Sequence, residues 1–125
     1  MLIIATNWMP RGVQGVCLHP RLVLVRPERK DDAVLLAHEA VHAEQQERAG
    51  WWRWVWRYLM NPGWRLHYEV EAYRVSVSLN PAGLHRYANA LATLYRLDLT
   101  YAQARALLLR ESASTPQSQE RTAPP

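Results

Sequence analysis

From Asp31 to Ala49 the chain runs without a proline or glycine, and Gly50 ends the run. Ala33, Val34, Leu35, Leu36 and Ala37 are, Val34 apart, good helix formers. Asp31 and Asp32 supply a cap and negative charge where a helix would begin. A helix from Asp31 to about Arg48 is therefore expected, and what it carries constrains the rest of the fold. Residues 38–42 read His-Glu-Ala-Val-His. On a helix, His38 and His42 fall one turn apart on one face, the arrangement from which a single Zn²⁺ takes its first two ligands. Glu39, between them, is then directed at the open coordination position, where it can accept a proton from water. The pattern points to metal-assisted hydrolysis, above all of a peptide bond.

A third ligand has to come from another element. In the segment Trp64–Leu79, apolar residues recur at Leu66, Val70, Tyr73 and Val77, the spacing of an amphipathic helix. Two carboxylates lie on it. Glu69 borders the apolar stripe and has the small Ala72 at i+3, which allows close helix approach, and the Tyr73 hydroxyl at i+4 to brace a ligand. Glu71 sits about 200° further round the helix. Its neighbours Arg74 and Val75 suit a solvated face and a salt bridge. Glu69 is therefore taken as the third ligand.

With these two segments, the chain resembles the zincin metallopeptidases of the gluzincin branch, and among them the small single-domain minigluzincins. The resemblance rests on HEAVHAEQQ (His38 to Gln46) and EVEAYR (Glu69 to Arg74) and spans the middle of the chain. It implies a one-zinc peptidase with His38, His42 and Glu69 as ligands and Glu39 as general base. Several gluzincin groups have an Asp where Tyr73 stands here, which leaves open the partner that braces the ligand carboxylate. Transition-state stabilisation, which gluzincins take from His or Tyr, has three candidates: Tyr73, His67 and Tyr68. The resemblance also implies a strand ahead of the metal-binding helix whose edge holds an extended peptide. Arg21–Val25 is the run assigned to that edge, with an ordinary buried strand as its alternative. Metzincins are excluded, because no Gly and His follow His42 at their spacing.

The expected fold class is α+β, a small zincin-like domain with two or three N-terminal strands followed by about five helices, the HExxH helix first. Leu2–Thr6, Val13–Leu18 and Arg21–Val25 are short, rich in apolar and β-branched residues, and divided by Pro or Gly, as strands are. Beyond Pro81, Leu84, Tyr87, Ala88, Leu91, Leu94 and Tyr95 mark one face of a helix. Thr100 and Gln103 form a capping box for a last helix reaching about Arg110. One domain, residues 1–111, accounts for this pattern, and 49% apolar residues suffice for its core. Residues 112–125 are Ser, Thr, Pro, Gln and charge without periodicity, the composition of a disordered tail. The lone Cys17 excludes an internal disulfide framework. The apolar start is too short for a secretory segment, and no run approaches the length that spans a bilayer, so a cytoplasmic address is expected.

Residues 51–60, Trp-Trp-Arg-Trp-Val-Trp-Arg-Tyr-Leu-Met, contain four of the six tryptophans. As a helix they divide into a row of Trp52 and Trp56 and a row of Trp51, Trp54 and Val55, and only one row can face the Glu69 helix fully. The other row is expected to stay exposed as a docking surface for a protein partner. A membrane surface or a nucleic acid takes second place, the latter prompted by the net charge of +4 and the arginines among the aromatics. The partner of the centre itself is a peptide or protein substrate.

Overall fold

A computed structural model describes residues 1–110. Both the tail expected at 112–125 and the last residue of the expected domain lie outside the described residues. The fold is α+β: a three-stranded sheet at the N-terminus followed by five α-helices. The strands are β1 (Leu2–Ala5), β2 (Gly15–His19) and β3 (Leu22–Val25). The helices are α1 (Ala33–Ala49), α2 (Trp51–Met60), α3 (Pro62–Leu79), α4 (Leu84–Thr93) and α5 (Tyr101–Leu109). None of them is long and apolar enough to cross a membrane.

Strand order is β1-β3-β2, with β1 parallel and β2 antiparallel to β3. The run expected at the substrate-holding edge is thus the middle strand. Val23 and Val25 of β3 are fully buried and pack with Cys17 of β2 and Ala43 of α1. Pairing β3 on both sides satisfies its main chain and removes it from any edge role. The edge beside α1 belongs to β2 instead.

Local signals explain the helix boundaries. Asp32 caps α1, its carboxylate accepting from the main-chain N–H of Val34 and Leu35 at 3.1 Å each. Gly50 closes α1 with φ 90°, a conformation that L side chains rarely adopt, and so lets α2 start at once in a new direction. Asn61 caps α3 through Gly63 N and Trp64 N, with Pro62 in its first turn, so α3 starts two residues earlier than its apolar periodicity alone indicates. The capping box of α5 is present as Thr100 and Gln103.

Two clusters hold the helices together. Val70 and Tyr73 of α3 pack with Tyr87, Ala88 and Leu91 of α4 and with Ala104 and Leu108 of α5. Trp54 of α2 packs with Trp64 and Tyr68 of α3. This second cluster divides α2 as the row argument requires: Trp54 is buried, while Trp52 is 72% and Trp56 64% exposed.

Candidate metal centre

The inward face of α1 is polar. His38, Glu39, His42, Gln45 and Gln46 are all buried. Burying such groups is costly unless each finds a partner, so the partners describe the site. Helix α3 crosses α1 with Glu69 facing the two histidines. Glu69 Oε1 lies 3.4 Å from His38 Nε2 and 3.3 Å from His42 Nε2. All three donor atoms fall within 4.8 Å of one another. Ligands ~2.0–2.1 Å from a tetrahedral Zn²⁺ stand about 3.3–3.4 Å apart, which is the separation between this carboxylate and each imidazole. Glu69 Oε1 accepts no hydrogen bond of ordinary geometry although it is buried. The donor set and this orphaned oxygen both fit a divalent cation of the zinc type.

Each of these three side chains is held from behind. His42 Nδ1 is 2.9 Å from Gln45 Oε1, an acceptor, so Nδ1 carries the proton and Nε2 is the atom aimed at Glu69. His38 makes a long 3.5 Å contact from Nδ1 to Ser76 Oγ, and Ser76 is itself close to the Ala72 carbonyl. The other oxygen of Glu69 accepts a hydrogen bond from Tyr58 of α2 at 2.5 Å. Tyr58 is thus the hydroxyl that holds this carboxylate.

Charge follows from this packing. Burial tends to raise Glu69, but the charge of the His42 and His38 imidazoles facing it holds it well below the usual carboxylate range. Burial tends to lower His42, but Glu69, then Glu39 and Gln45, carry it up to about 9 without metal. Burial pushes Glu39 up, and Glu69 adds to this, against the opposing pull of both imidazoles and the Cys17 main-chain N–H. Glu39 Oε2 has no hydrogen-bond partner among the described residues. Burial pushes the Cys17 thiol up to about 12, which leaves it inert.

The centre lies in a cavity of about 1000 Å³ walled by β2, α1, the inner row of α2, α3 and α4. Of the candidate stabilisers, only Tyr73 reaches it. Its ring lies edge-on to His38 with 4.4 Å between centroids, and its hydroxyl pairs with that of Tyr95 at 2.7 Å. His67 and Tyr68 do not line the cavity. Tyr68 is fully buried among Trp54 and Trp64, and its hydroxyl accepts from Arg57. His67 packs against Trp64 and Tyr68.

Glu71 departs from the expected solvated face. It is half-buried, and its Oε1 accepts from Gln45 Nε2 at 3.1 Å and from Arg48 at 3.2 Å. Arg74, its expected partner, bonds the Leu107 carbonyl instead. Tyr58, Tyr95, Gln45 and Ser76 were not singled out in the sequence. Tyr58 could have been, since it continues the Trp51, Trp54, Val55 row at helical spacing, and Gln45 lies at i+3 from His42.

Searches of protein-family models, curated proteins and solved structures returned no match to this chain.

Proposed function

We propose that this chain is a zinc-dependent peptidase of the gluzincin type, with His38, His42 and Glu69 as metal ligands and Glu39 as general base. The observation that carries the reading is the set of three buried donor atoms within 4.8 Å of one another, in which Glu69 Oε1, 3.4 and 3.3 Å from the two imidazole nitrogens, has no hydrogen-bond partner among the described residues. A bound zinc would supply Lewis-acid activation of a water and of a scissile carbonyl. The chain's own residues do the rest. Glu39, its proton affinity raised by burial, takes the proton from the attacking water and delivers it to the leaving amine. Tyr58 and Gln45 hold the ligands in place. Tyr73, against His38 in the cavity wall, is the remaining aromatic candidate for the carbonyl oxygen.

Peptide binding falls to β2. The outward main-chain groups of Cys17 already serve Glu39 and Gln46. Gly15, two residues earlier, faces the same way by the strand period and lines the cavity. Its main chain can therefore pair with an extended substrate. A Cβ there would press on the Leu24 carbonyl oxygen at 3.3 Å and reach contact with Glu39 Oε1 at 3.4 Å. Hydrolysis of an unfolded peptide, abolished by a chelator and restored by zinc, is the expected result. An unchanged rate in the chelator would contradict the reading.

A second reading, a zincin-like component that docks a protein partner with little turnover, is favoured by one observation. Trp52, Trp56, Leu59 and Met60 form an exposed apolar row along α2.

A further inference from the structure

Gln45 lies at i+3 from His42 on α1 and is fully buried. A primary amide has two donor hydrogens and two acceptor lone pairs, and here all four are engaged. Nε2 donates to the Tyr68 carbonyl at 3.0 Å and to Glu71 Oε1 at 3.1 Å. Oε1 accepts from the Trp54 indole N–H at 3.2 Å and from His42 Nδ1 at 2.9 Å. These partners permit one orientation of the amide. Turned over, its oxygen would face a carbonyl and a carboxylate, and its NH₂ would face the indole N–H. His42 Nδ1 is therefore kept against an acceptor. Arg48, bound to the same Glu71 oxygen, connects the network to the protein surface.

We propose that Gln45 is a positioning residue: its amide, locked by Trp54, Tyr68 and Glu71, holds the proton of His42 on Nδ1 and so presents Nε2 to the metal. The proposal rests on the metal-centre reading above. It assigns to Glu71 a share in the centre that its distance from the ligand atoms conceals.

Two substitutions separate this role from simple core packing. Gln45→Leu keeps a similar volume but removes the acceptor. Gln45→Glu keeps an acceptor at Nδ1 but sets a buried carboxylate against Glu71 and the Tyr68 carbonyl, so it should melt below Gln45→Leu. If packing alone mattered, zinc affinity would follow the melting order. If Gln45 positions His42, the order reverses. In chelator competition, Gln45→Leu should lose about 10–100-fold in zinc affinity, whereas Gln45→Glu should stay nearer the wild type. A second readout needs no variant. In the zinc-loaded wild type, the His42 Nδ1–H should be visible and slow to exchange in long-range ¹H–¹⁵N spectra. Wild-type zinc affinity in Gln45→Leu, or a rapidly exchanging Nδ1–H, overturns the proposal while leaving the metal centre standing. Failure of the wild type to bind zinc removes both.

Discussion

Tyr58 on α2 donates its hydroxyl hydrogen to Glu69 Oε2 on α3 at 2.5 Å, while the other carboxylate oxygen faces His38 and His42. One carboxylate thus joins three helices. The bond orients Glu69 so that a single oxygen faces both imidazoles. Tyr58→Phe should fold and still bind one zinc, with affinity lowered on the order of 10-fold, as for other residues that hold a ligand from behind. Chelator competition measures this. Unchanged affinity would show that the hydroxyl does not orient Glu69.

Glu69 and Glu71 should separate cleanly. Glu69→Ala removes a ligand and the folding free energy that metal binding supplies, so zinc affinity and zinc-dependent melting temperature should fall together. Glu71→Ala leaves the Gln45 amide and Arg48 each short of an acceptor, a cost on the order of 1 kcal/mol. It should lower the melting temperature yet retain one zinc. A zinc titration of both variants decides the point, and the reverse ranking would transfer the ligand role to Glu71.

Zinc binding should depend on pH through His42. Without metal its proton is held up to about 9, chiefly by Glu69 acting against burial. Below that value zinc must displace the proton, so affinity should rise by about tenfold per pH unit from neutrality and level off above it. Glu69, held below the usual carboxylate range, is already ionised and releases none. Calorimetry near neutral pH in buffers of different ionisation enthalpy should report about one proton released per zinc. No release would contradict the assignment of His42.

The outer row of α2 should be separable from the centre. Replacing Trp52 and Trp56 with Ser removes exposed apolar surface and no ligand support. Zinc content and peptide hydrolysis should be unchanged, while self-association or partner capture is lost. Iodide should quench tryptophan fluorescence more in the wild type than in the variant, the exposed Trp8 being quenched in both. Equal quenching would mean that this row is not the accessible one.

Much of this was legible because local spacing carries it. The helical HEAVH segment, the strand runs and the face of α3 that turns Glu69 towards the histidines follow from periods of two and 3.6, and the caps at Asp32 and Thr100 from residue type. What was not legible depends on elements meeting in space. β3 became central because β1 adds to it in parallel across a long connection, a pairing that no local pattern announces. Tyr58 acquires its role only when α2 folds back onto Glu69. Tyr68, one residue before Glu69, is turned about 100° away from it and falls among the tryptophans. Glu71 looked solvated because its partners, Gln45 and Arg48, come from a different helix.

The most direct test is Glu39→Gln, assayed for metal and activity on the same sample. Glu39 lies beside the donor set without belonging to it. The metal-stripped variant should therefore take up one zinc per chain with an affinity close to wild type. Its hydrolysis of an unfolded peptide should fall by on the order of 10²-fold or more, as for removal of a general base. Full activity in this variant, or no zinc uptake by the wild type, would contradict the account.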